Sequence, residues 1–286
     1  MSQQILDKEL HKFKLDHYNN MDIDYWFKKV NGLHNKFERL KDPKKQSRIV
    51  FELYSIYLQI LEVLFINAYA LSLKTNRFPS ALFIDSKNLQ KFIRDNFLKT
   101  TRFSSWFLTN YIFAIQKESP DYKKRYEEYT SLICAVAKDY LDNYQLLNAY
   151  KHGCRVSAKH GKNYVSLVDK NNENQLLVEA DCQITYFSKE PLKNANDPTL
   201  EGAPAVYKRT VSFKIQRLFG DCAFVITLLQ NLRLTALHTL GVKPREKILT
   251  ISLIQKEWKN SHGGFSFKQP LFSIGLANKQ KGMAKK

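Results

Sequence analysis

Residues 144–162 read YQLLNAYKHGCRVSAKHGK. Up to Lys151 the apolar residues keep helical spacing. Tyr144 and Leu147 continue a stripe formed by Ile133, Val136, Ala137, Tyr140 and Leu141, as expected of a helix with one buried face. Gly153 then occupies the place of the glycine that commonly follows a helix C-terminus. From Tyr164 the period becomes two. The stretch therefore divides the chain into a helical part before it and a sheet-forming part after it.

Working backwards, Ser119-Pro120-Asp121 supplies a cap, a first-position proline and a first-turn acid, so one long helix is expected from there to His152. Residues 22–40 carry Tyr25, Trp26, Val30, Leu33 and Phe37 at steps suited to an amphipathic helix, which Asp42-Pro43 ends. A second helix over 46–75 is apolar nearly all round, as a central element would be. Glu62 lies in its middle, either holding a cation from another helix or facing solvent. Shorter helical pieces are expected over 86–98 and 104–116, and residues 1–20 read as polar and helical.

Working forwards, Val178, Ala180, Cys182, Ile184 and Tyr186 alternate with Glu179, Asp181, Gln183 and Thr185, the pattern of a strand with one buried face. Tyr164–Val168 and Val211–Ile215 read as its neighbours. Asp221–Leu240 is a last apolar helix, stopped by Gly241 and Pro244. Residues 248–258 fit strand or helix. The expected fold is mainly α: a helical bundle with a small antiparallel β-sheet of about three strands inserted over about 162–215. Residues 1–276 read as one domain and residues 277–286 as a basic flexible tail.

The chain has 286 residues and a net charge of +18. So large an excess concerns partners rather than fold, and nucleic acid is the expected partner. Lysine outnumbers arginine 34 to 11, which favours loose phosphate contact over base reading. Residues 241–286 hold ten Lys and Arg against two acids. The four cysteines stand far apart without zinc-ligand spacing, and no phosphate loop, dinucleotide fingerprint, HExxH or GxSxG is present. No metal or cofactor is therefore expected. The charged N-terminus lacks a signal-peptide core, and Glu52 and Glu62 interrupt the apolar run over 49–73. A cytoplasmic location without membrane insertion follows as the expectation.

Between Asp142 and Asp169 there is no acid, while Lys151, Arg155, Lys159 and Lys162 are cations and His152 and His160 imidazoles. Asn148 and His152, four apart, share one helical face, with Lys151 beside it. One reading is structural: Lys151 and His152 complement the carbonyl end of the helix dipole and Gly153 caps it. The other is phosphate chemistry. Here His152 moves a proton near neutral pH, Lys151 and Arg155 hold a phosphate, and Asn148 orients the ribose or imidazole.

Asn148-x-x-Lys151-His152-Gly153 at the end of a long helix, in a mostly helical basic chain, resembles the nuclease-motif region of the HEPN superfamily. The resemblance covers residues 46–76 and 119–153. It implies a helical bundle, often homodimeric, of the kind found among prokaryotic toxins and antiphage systems, where many members are metal-independent endoribonucleases. It matches His152 to the motif's histidine and Asn148 to its polar residue, and with Lys151 from the phosphate reading these are the expected catalytic residues. The acid-free basic run itself makes Lys151, Arg155, Lys159, His160 and Lys162 the expected RNA contacts. A neutralising antitoxin or other partner protein is also implied. The motif's arginine position falls on Leu147. Arg155 to His160 and Arg233 to His238 also fit the arginine-to-histidine spacing, but on one helix Arg233 and His238 would sit about 140° apart, so Arg233 reads as a paired structural cation. Two further readings stand beside the nuclease: a non-catalytic nucleic-acid-binding or scaffold subunit of a defence system, and a subunit whose basic tail docks an acidic protein.

Overall fold

The computed structural model describes residues 3–73, 75–99, 101–112, 122–151, 156–168, 175–191, 202, 204–243 and 265–273. It is mainly α-helical with one antiparallel sheet. The helices are α1 (Gln3–Asn19), α2 (Ile23–Arg39), α3 (Pro43–Ser72), α4 (Phe78–Ala81), α5 (Ser86–Ile93), α6 (Thr101–Phe107), α7 (Tyr122–Lys151) and α8 (Ile215–Thr239). The strands are β1 (Val156–Val168), β2 (Gln175–Pro191), β3 (Pro204–Phe213) and β4 (Phe265–Ser273). Single π-helical turns extend α5 over Arg94–Leu98 and α6 over Leu108–Ile112. α3 is long and apolar enough to cross a membrane, yet 67% of its most apolar window is buried within the protein.

The chain forms two compact units. One comprises Met1–Gly32, Ile56–Tyr144 and Gly220–Lys256; the other comprises Leu33–Ser55, Gln145–Phe219 and Glu257–Lys286.

In the first unit, aromatic rings build much of the core. Phe97, in the π turn after α5, meets Phe65 of α3 at 5.2 Å and Phe103 of α6 at 5.3 Å between ring centres, both edge to face. Phe65 also meets Tyr140 of α7. Two hydrogen bonds lace the same helices: Tyr140 Oη donates to Glu62 Oε1 at 3.3 Å and Tyr57 Oη to Asp139 Oδ2 at 3.2 Å. Glu62 thus accepts a hydrogen bond from a phenol of another helix. Burial, and then the Glu62 charge, push the Tyr140 hydroxyl above its usual range, so it stays a donor. Replacing Tyr140 with Phe is expected to remove roughly 0.5–1.5 kcal/mol of stability, read from the urea midpoint at unchanged slope. Arg233 Nε donates to the Tyr18 carbonyl at 2.9 Å, anchoring α8 to α1.

In the second unit the sheet has the order β1-β2-β3-β4, each neighbour antiparallel. Ala180, Cys182, Ile184 and Tyr186 are buried, so β2 turns the expected face inward. β1 begins well before Tyr164 and is kinked by a bulge between His160 and Asn163, where Gly161 takes φ of 146°, a backbone conformation that suits glycine. Tyr54 of α3 stacks on Phe213 at the end of β3, ring centres 5.2 Å apart. The expected three strands are four. β4 pairs with β3 from Ser212↔Phe265 to Ala205↔Ser273, so the sheet is completed by chain beyond α8. Residues 248–258 and the tail at 277–286 lie outside the described residues.

Two helix starts differ from expectation. Asp42-Pro43 does not only end α2; it begins α3. Asp42 Oδ1 accepts from the Lys44 amide at 2.9 Å and Pro43 is the first helical residue, the cap-then-proline arrangement. α8 starts at Ile215 rather than Asp221 because Asp181 Oδ1, from β2, accepts the Ile215 amide at 2.7 Å.

Candidate nucleic-acid interface

Asn148 and Lys151 fall in the last turn of α7 and Lys162 on β1, but their side chains lie outside the described part of the molecule. His152 and Arg155 lie outside the described residues, and with them the expected pairing of Asn148 and His152. Leu147, at the motif's arginine position, is buried at 6% exposure.

Lys159 and His160 are described, and the structure gives them partners that the sequence reading lacked. Pro43, Lys44, Ser47, Arg48 and Phe51, from the first three turns of α3, line an open cleft of about 570 Å3 together with Val156, Ala158, Lys159 and His160 of β1. One hydroxyl ties the two elements. Ser47 Oγ donates to the Pro43 carbonyl at 2.7 Å and accepts the His160 amide at 2.9 Å. The His160 ring stands edge-on to Phe37 of α2, centres 5.0 Å apart, so both its backbone and its ring plane are held. Lys44, Arg48 and Lys159 are exposed.

Three cations and an imidazole thus converge on the amino end of a helix. That end already carries partial positive charge, and cations there cost about 0.3–1 kcal/mol each. α3 has no acid in its first turn, and the Asp42 carboxylate is engaged in the cap. An anion in the cleft would offset both the cations and the helix end. Lys44 and Arg48 were missed in the sequence, although a signal was there: two or more cations in the first turns of a helix contradict the usual charge preference, and such local conflicts mark functional sites.

Three cysteines are described, all as free thiols. Burial pushes the Cys182 and Cys222 thiols up, aided by Asp181 and Asp221 respectively, which keeps them protonated and poorly nucleophilic. Cys134 Sγ donates to the Phe97 carbonyl. Among the described residues no three His, Cys, Asp or Glu side chains gather as a metal site would require. No protein-family model, curated protein or solved structure matches the chain.

Proposed function

We propose that this protein binds RNA and holds its phosphate backbone in the cleft between the start of α3 and β1. The observation that carries this reading is the convergence of Lys44, Arg48, Lys159 and His160 on one open cleft, in a chain of net charge +18. Lysine and arginine neutralise phosphates, and the counterions they release drive association. The imidazole adds a donor when protonated.

A second reading makes the protein a HEPN-like metal-independent endoribonuclease, of the toxin or antiphage type, acting as a homodimer. It is favoured by α7 continuing unbroken to Lys151, which carries Asn148 and Lys151 into the last turn directly before His152. In the reaction, His152 takes the proton of a ribose 2′-OH. The 2′-oxygen bonds to the adjacent phosphorus, and the 5′-oxygen leaves with a proton from the acid, which in a twofold dimer is the partner's copy of the same imidazole. Lys151 and Arg155 stabilise the pentavalent charge.

One experiment addresses both. Labelled RNA is titrated at low salt in EDTA, followed by anisotropy and then by denaturing gel, with wild type and His152→Ala. Salt-sensitive binding without cleavage supports the binding protein. Cleavage that His152→Ala abolishes, at unchanged melting temperature, supports the nuclease. Absence of RNA affinity at low salt overturns both.

A further inference from the structure

We propose that the bound RNA is single-stranded, and that its backbone passes round β1 so that one base stacks on Phe187 of the sheet's outer face. This rests on the RNA-binding reading and extends it to the class of substrate.

The argument starts from the alternation of β2. With Cys182, Ile184 and Tyr186 buried, Gln183, Thr185 and Phe187 must point the other way. Phe187 is 38% exposed, a large ring on the solvent side of a strand, directly opposite Lys208 of β3 in the register. A hollow of about 350 Å3 opens on this face, lined by Lys159, Gln183, Thr185, Phe187 and Lys208 among others. Its chemistry is specific: an aromatic platform, a lysine on either side, and hydroxyl and amide groups between them. Among the described residues that line the hollow there is no carboxylate. The hollow is therefore complementary to an anion that carries flat rings. Single strands are bound by this combination, the backbone by cations and the bases by aromatic faces.

The link to the cleft is Lys159. It lines both this hollow and the cleft at α3, as does Val156. β1 is the edge strand of the sheet, so the two concavities lie on either side of one strand, with a cation at the rim. A phosphodiester chain can turn round a single strand's width, about 5 Å. An A-form duplex cannot, and it hides its base faces within the stack. The geometry therefore selects a flexible, unstacked strand.

The test uses the full chain and three labelled RNAs: a single-stranded oligonucleotide, its duplex, and the same strand with abasic sugars replacing a central run of bases. Wild type is expected to prefer the single strand over both others. Phe187→Ala is expected to weaken single-strand binding about 5- to 150-fold, to leave the abasic strand's affinity unchanged, and to leave the melting temperature unchanged. Phe187→Trp is expected to retain affinity and to show emission quenched by the single strand beyond the wild-type change. If wild type binds RNA but Phe187→Ala binds the single strand equally well, or the duplex binds as tightly, the stacking proposal is overturned while the cleft reading stands. If wild type binds no RNA, both fall. If Phe187→Ala instead dissociates a dimer by light scattering with RNA affinity unchanged, the face is a self-interface and the proposal is overturned.

Discussion

Replacing Phe97 with alanine is expected to lower the stability of the first unit by about 3–5 kcal/mol, the range for deleting a fully buried phenylalanine. Phe97 is 1% exposed and touches aromatic rings from three other elements edge to face: Phe65 of α3, Phe103 and Phe107 of α6, and Phe92 of α5. Truncation leaves a hole whose walls are rigid rings, and rigid walls collapse poorly. The total stability of a domain is about 5–15 kcal/mol, so this single change removes a large share of it. A fall in melting temperature on the order of 10 °C is expected, measured by calorimetry, with Phe97→Leu much milder. A shift no larger than that of Tyr140→Phe would show that the ring cluster is not the core of this unit.

The largest effect on binding is expected from the cleft. Lys44→Ala, Arg48→Ala and Lys159→Ala together should reduce RNA affinity about 100-fold at 0.1 M salt, since each phosphate contact to a single strand changes the salt slope by about 0.7. The slope of log affinity against log salt should become shallower by about 2. Charge removed elsewhere provides the control. Lys8, Lys12 and Lys87 are exposed and outside the cleft, and their triple alanine variant removes the same formal charge. Were it to weaken RNA as much as the cleft variant, binding would follow net charge alone and the cleft would not be the grip. The control variant should not move the melting temperature by more than about 2 °C, because surface substitutions away from special features stay within about 0.5 kcal/mol, whereas the cleft variant should raise it, since cations at a helix amino end are unfavourable.

Long periodic elements were readable, and elements set by distant partners were not. α2 and α7 carry their own spacing, and β2 its own alternation, so each could be placed from its residues. The start of α8 depends on Asp181, 34 residues earlier in the chain, and no local pattern announces a cap supplied by a strand. β4, FSFKQPLFS, contains a proline that argues against a central strand. Its place at the sheet edge, where a missing amide costs little, explains how it forms. The site divided in the same way. Lys159 and His160 stood out in an acid-free run, whereas Lys44 and Arg48 belong to the cleft only because Ser47 binds the backbone of a residue 113 positions later.

The late arrival of β4 has a consequence for how the chain is made. β3 ends at Phe213 and its partner begins at Phe265, about 50 residues on. At synthesis rates of roughly 5–20 residues per second, β3 waits for several seconds with one row of backbone amides and carbonyls unpaired. Such an open edge invites pairing with other nascent chains. Between the two strands the ribosome delivers α8, whose apolar residues Phe224, Val225, Ile226, Leu228, Leu229 and Leu232 are all destined for burial. The interval in which the half-built sheet is exposed is therefore also the interval in which the most apolar late segment emerges, and a chaperone acting on this protein would find both targets in one window of translation.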